Sequence, residues 1–316
     1  MEGDDLAMSA TIEPTVSARL TLGERLRRNP IALKELRGRM RGARTFIVLT
    51  IYVALMSGFT VLLYLIYAGT ASMSLSTTGG VVGKVTFSGV VVIEMFLVCL
   101  VTPAFTSGAI SGERERRTFD LLRTTLLPAR RIVIGKLMSA MAYILLLLLT
   151  GIPLQSMAFL MGGVTTEEVV LAFVLLVVAA IGFGMMGLFF SAIMKRTLSA
   201  SVLTYVLALV VIIGLPLIGL IVLPLVSSGL DLDQPVLEAI ILYLSSLLAA
   251  TNPVTTAVLT ETLLLSQGTV FVYKETLSNG APIPLVSPWI IYTILYLSVS
   301  LVLIAVTVRQ VRKVES

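Results

Sequence analysis

Apolar residues fall in long unbroken runs along this chain, and polar residues are confined to short gaps between them. Six runs exceed the ~18 residues that a helix needs to cross a bilayer. They lie at about 46–67, 85–110, 132–161, 169–194, 198–226 and 286–308. None shows the ~10-residue alternation of a membrane β-barrel. Between 227 and 285 the pattern changes. Two apolar stretches, 236–250 and 253–265, are short for a span. They carry Glu238 and Glu261 and are separated by Asn252-Pro253, with Thr251 and Asn252 as candidate helix caps. They are expected to be re-entrant half-helices or helices on the outer surface; the alternative is a strained pair of further spans. Gly268, Asn279-Gly280, Pro282 and Pro284 predict turns or a hairpin over 266–285.

Composition agrees with the pattern. The 316 residues are 57% hydrophobic and 13% charged, with a mean hydropathy of +1.00. That leaves too little polar surface for a soluble domain of this size. The expected class is an all-α polytopic membrane protein with six transmembrane helices. There is no His, and the single Cys, Cys99, lies inside an apolar run. This excludes disulfides, Cys/His metal sites and Cys–His or Ser–His catalysis.

The charges sort by side. With six spans, residues 19–44 carry nine Lys/Arg, 111–136 seven, 195–196 two and the C-terminal end three, so 21 of the 23 fall on one face. Only Lys84 and Lys274 lie opposite. Short cytoplasmic loops retain Lys/Arg, so both termini are expected in the cytoplasm of a cell-membrane protein. The expected organisation is a flexible cytoplasmic tail at 1–28, a helix at 29–44, a six-span domain at 45–310 whose 227–285 segment is extracytoplasmic, and a short tail at 311–316. Asn29-Pro30 suits a helix start. Ile31, Leu33, Leu36 and Met40 among basic residues suit an interfacial amphipathic helix; a solvated basic linker is the alternative. No signal peptide is evident.

The longest polar interruption is 111–136, SGERERRTFDLLRTTLLPARRIVIGK. Ser111 is a candidate cap, with Glu113 and Glu115 in the favourable first turn. The expected helix runs to about Thr124, and Pro128 starts the next. Gly112-Glu113-Arg114-Glu115, Thr118, Leu121-Leu122, Thr124-Thr125 and Gly135-Lys136 resemble the cytoplasmic loop of ABC-2 type permeases, the membrane subunits of ATP-binding-cassette exporters. The chain departs from that pattern at Arg117, where the family often has Gly, at Phe119, and in the placement of Pro128. With the topology, the resemblance extends over about 29–310.

The resemblance implies a coupling helix at about Glu113–Thr124 resting on a separate ABC ATPase subunit. Its contact residues would be Glu113, Arg114, Glu115, Arg117, Phe119, Asp120, Leu122 and Arg123. It also implies a second permease subunit, as homo- or heterodimer. ATP and Mg would bind in the partner ATPase, with no cofactor, catalytic residue or metal in this chain and no nucleic-acid partner. Consistently, the nearest approach to a phosphate loop, Gly79–Val85, lacks the GxxxxGK[ST] spacing. The bland alternative is that the loop only obeys the charge rule.

Inside the spans, Glu94 lies about 13 Å from the outer end of the second, with Gln155 at similar depth in the third. A buried carboxylate at that depth faces protein or water. The two are expected to line a substrate path or to form a packing pair. Gly182, Gly184, Gly187, Gly214 and Gly219 suit close helix approach, and Pro216 and Pro224 suit kinks. Three functions fit: the permease subunit of an ATP-driven exporter; a membrane anchor or scaffold that docks an ABC ATPase without transport; and a secondary transporter, which a single obvious titratable group in the spans disfavours.

Overall fold

The computed structural model describes residues 38, 43–73, 79–118, 128–229 and 235–315. The expected tail at 1–28 lies outside the described residues, as does nearly all of the interfacial helix expected at 29–44. Among the described residues, six helices or joined helices are long and apolar enough to cross a membrane. The spans are α1 (Ala43–Met73), α2 (Gly79–Thr106), α4 (Ala129–Leu160), α5 (Thr166–Ile193), the joined α6 (Thr197–Leu209) and α7 (Leu215–Gly229), and α10 (Pro288–Glu315). A five-residue helix, α3 (Ser111–Glu115), follows α2. Two shorter helices, α8 (Pro235–Ala250) and α9 (Pro253–Gln267), precede a β-hairpin of β1 (Val272–Thr276) and β2 (Pro282–Val286).

Helix α5 is central and packs against α2, α4, α6 and α10. Its sequence makes this feasible. Without a hydrophobic force between helices in lipid, close backbone approach supplies the dispersion contact, and small residues permit it. A side chain at Gly182 would meet the Tyr296 ring, and one at Gly184 would meet Met141 and Thr102. At Gly187 it would run into Thr106. Gly219 packs likewise on Leu248, whereas Gly214 meets only Val210 of the preceding turn. The core so formed includes Met56, Met95, Cys99, Tyr143, Leu176 and Tyr292.

Helix boundaries differ from expectation where side chains complete a cap. The gap between the third and fourth apolar runs is shorter in the structure, because Thr165 and Glu168 form a reciprocal capping box and helix α5 begins at Thr166. Between the first and second apolar runs the chain is helical up to Met73 and again from Gly79. Gly79–Lys84 is therefore a helical turn and not an anion-cradling loop.

The expected kink at Pro216 takes a specific form. The five residues before α7, Val210–Gly214, make a π-helical turn. Proline has no N–H to donate, so the carbonyl four residues back loses its partner. That carbonyl belongs to Ile212. It accepts instead from Asn252 Nδ2 at 2.7 Å, which also donates to Val211 O at 2.9 Å. Asn252 Oδ1 meanwhile accepts from Thr255 N and caps α9. Pro224 lies within α7.

This bond places the tip between α8 and α9 beside the middle of the fifth span. Tyr296 Oη donates to Thr251 O at the same tip. The chain turns through 119° there. At the other end the hairpin rests on α8, with Ser278 bonded to Glu238 and Tyr243 Oη donating to Pro284 O. Helices α8 and α9 thus form a re-entrant pair that enters and leaves from one end of the bundle. The expected turn segment is the antiparallel hairpin, in register Val272↔Val286, with Gly280 in the left-handed region at its turn.

Val311 of α10 packs with Ile110 and Ala129. The end of the last span therefore lies with the polar loop. Helix α1 runs antiparallel to α2, since Leu63 lies against Gly89 and Tyr52 bonds Glu94. Its start points to the same end.

Candidate functional site

The polar loop begins as a fastened structure. Helix α3 has Ile110 at its N-cap position, not Ser111. The first free N–H groups of a helix need acceptors. Here Ser191 Oγ, from the end of α5, accepts from both Ile110 N at 2.9 Å and Ser111 N at 3.0 Å. Ser111 Oγ turns back to Ser107 O.

Helix α3 then stops early. The expected helix to Thr124 is broken after Glu115, because Arg117 adopts φ 56°. Thr118 N bonds Glu113 O and Arg117 N bonds Arg114 O. This is the paired bonding of a Schellman motif, with Arg117 at the left-handed C′ position. This is the position at which the chain departs from the family pattern. The Gly usual at that position is the residue that takes positive φ at least cost, and Arg117 takes it here at ~1–2 kcal/mol.

The acidic groups of α3 bond to other helices of this chain, Glu113 half-buried and Glu115 at the surface. Glu113 Oε1 pairs with Lys136 Nζ at 2.7 Å, and Lys136 also donates to Ala109 O at 2.8 Å. Lys136 is buried in α4. Glu115 accepts from Thr197 N at 2.8 Å and from Thr197 Oγ1 at 2.7 Å, so it caps the start of α6. These bonds hold the Glu115 carboxyl below the usual carboxylate range, helped by Arg196 and Arg116. Arg114 Nη1 reaches Met194 O at 3.4 Å. Among the described loop residues Glu115, Arg116, Arg117, Thr118, Pro128, Arg130 and Arg131 are exposed. Phe119, Asp120, Leu122 and Arg123 lie outside the described residues. The second helix begins at Ala129, one residue later than expected, with Pro128 extended at its N-cap position.

Glu94 and Gln155 meet. Gln155 Nε2 donates to Glu94 Oε2, and Tyr52 Oη donates to Glu94 Oε1 at 3.0 Å. Glu94 is fully buried. Gly151, one turn before Gln155, leaves room for its carboxyl. One side chain from each of α1, α2 and α4 thus closes a polar knot. Tyr52 was missed in the sequence, where it is one aromatic residue in an apolar run. Neither the cavity between α2 and α9 nor that between α5, α6 and α10 is lined by Glu94 or Gln155.

Six spans, a re-entrant pair before the last and a fastened polar loop between the second and third make up a multi-pass membrane protein. Residues 29–309 match the family described as ABC-2 family transporter protein, and the chain belongs to that family. No curated protein shows significant similarity to it.

Proposed function

We propose that this chain is the membrane subunit of an ATP-driven exporter, and that its 111–136 loop receives force from a separate ABC ATPase. The observation that supports this reading most is the way α3 is tied. Within five residues it is bonded to α4 through Lys136, to α5 through Ser191 and to α6 through Thr197. Displacement of such a helix is passed to three spans at once, which suits a lever better than a loosely hung loop.

The roles of the loop residues then divide. Glu113, Arg114 and Glu115 transmit within the chain, while Arg117, Phe119, Asp120, Leu122 and Arg123 meet the ATPase. Glu94 and Gln155 serve as a brace among α1, α2 and α4 in preference to a substrate path, because protein donors occupy both carboxylate oxygens. ATP and Mg bind the partner. A second permease subunit completes the transporter, and the loop and both termini face the cytoplasm of the cell membrane.

The test is to purify the complex and compare ATP hydrolysis and transport for wild type, Glu115→Gln and Thr197→Val. Loss of transport with the ATPase still bound supports the lever. Unchanged transport in both variants refutes it.

A further inference from the structure

We propose that the cavity between α2 and α9 is a binding site for an organic ammonium ion carrying an apolar chain. It lies at the bundle end opposite the polar loop and has a volume of about 480 Å³, within the ~300–1,000 Å³ of small-ligand sites. Its walls are two helical stripes. Helix α2 contributes Val81, Val85, Ser88 and Val92, and α9 contributes Val258, Glu261 and Leu265. From Val81 to Val92 the α2 stripe extends ~17 Å at 1.5 Å per residue. A narrow apolar slot of that length suits an extended alkyl chain.

The charges select the head group. Lys84 lines the cavity, but its ammonium is paired with Glu168 Oε1 at 2.7 Å. The other oxygen of Glu168 accepts Thr165 N. Glu168 is buried behind Lys84 and does not line the cavity. Glu261 does line it and is only 7% exposed. Its one hydrogen bond among the described residues is from Ser88 Oγ at 3.3 Å. Lys84 is thus taken by Glu168, and the Glu261 carboxyl is held in apolar walls, where it is ionised at least cost with a cation beside it. A buried charge is costly unless paired. A ligand cation would supply the missing partner, whereas an anion would be repelled and a neutral head would leave Glu261 as it stands. Among the described residues no cluster of acidic, His or Cys ligands suits a metal ion. An ammonium with an alkyl tail uses both the carboxylate and the valine stripe. A lipid amine head group and a free amphipathic amine share this chemistry.

Binding requires no ATPase, so it is tested apart from the exporter reading. The full chain in a neutral, nitrogen-free detergent is titrated with tritiated dodecylamine by scintillation proximity. Wild type should bind it, and dodecanol and dodecanoate should displace it at least tenfold less well than unlabelled dodecylamine. Glu261→Gln should weaken binding at least tenfold while keeping the wild-type unfolding midpoint. Should that variant not fold, Val92→Trp, which fills the apolar end and leaves Glu261 in place, should abolish binding. Displacement by phosphatidylethanolamine identifies a lipid source, and its failure to displace identifies a free amine. Equal displacement by dodecanol, no binding to wild type, or unchanged affinity in a folded Glu261→Gln or Val92→Trp variant would overturn the proposal.

Discussion

Replacing Asn252 should loosen the re-entrant pair in a way that depends on Pro216. The side chain does two separable things. Its Oδ1 caps α9 through Thr255 N, and its Nδ2 serves the carbonyls of Val211 and Ile212. Loss of an N-cap costs about 1 kcal/mol, and hydrogen bonds between membrane helices average about 0.6 kcal/mol each. Asn252→Ala should therefore cost about 2 kcal/mol, or roughly 30-fold in local opening. Asn252→Ser keeps a capping oxygen and loses the two donors, so it should cost about 1 kcal/mol. Asn252→Asp also keeps the cap but sets a carboxylate against two carbonyl oxygens, and should cost more than Ser. The assay is hydrogen exchange of the 254–257 amides in nanodiscs. Pro216→Ala restores an N–H for Ile212 O, so in that background the cost of Asn252→Ala should fall by about 0.5 kcal/mol or more. Strict additivity of the two substitutions, or an Asp variant that exchanges like wild type, would refute the idea that Asn252 compensates for the missing proline donor.

Gly151→Ala would normally gain helix propensity, but here its Cβ would stand 2.5 Å from Glu94 Oε1; a net destabilisation of ~1–3 kcal/mol is expected, read as a lower unfolding midpoint in detergent, and a higher midpoint would mean the knot yields freely. Arg117→Gly relieves a left-handed φ but gives back backbone entropy, so its effect on stability should be within about 1 kcal/mol, whereas β-branched Arg117→Val should lose more; equal midpoints for the two would argue that the turn is not held. The bonds of Glu115 to Thr197 require the carboxylate, and its lowered pKa means they persist at pH values where an unperturbed carboxyl has begun to protonate. Their stabilising contribution is present above the ordinary carboxylate range and is lost as pH falls through the lowered value. Exchange of the Thr197 amide should accordingly rise, after correction for intrinsic rates, only at the acid end, and a rise near neutrality would contradict this.

The spans were legible because a 20-residue apolar run has few other uses, and 111–136 stood out as the longest charged gap between two of them. The end of α3 was not legible. Arg117 carries no turn signal of its own, and only the contrast with the family's Gly pointed to a helix stop. Long-range pairings were hidden for a different reason. Glu115 and Thr197 lie 82 positions apart, and Tyr52 and Glu94 lie 42 apart; periodicity reports which face a residue takes, not which helix comes to meet it. Asn252 was half legible. Asn-Pro marked a cap and Pro216 a kink, but that one answers the other follows only from the re-entrant path. Glu261 looked like a reason for α9 not to span, and in the fold it lines a cavity.

The measurement that bears most directly on the central claim is affinity purification of the tagged chain from native membranes in mild detergent, with mass spectrometry and a MgATP hydrolysis assay on the eluate. The account predicts a soluble ATP-binding-cassette ATPase in the eluate, with hydrolysis that is lost when 116–123 are replaced by a Gly/Ser stretch. A stable oligomer of the chain without any ATPase, or an ATPase that stays bound after that replacement, would contradict it.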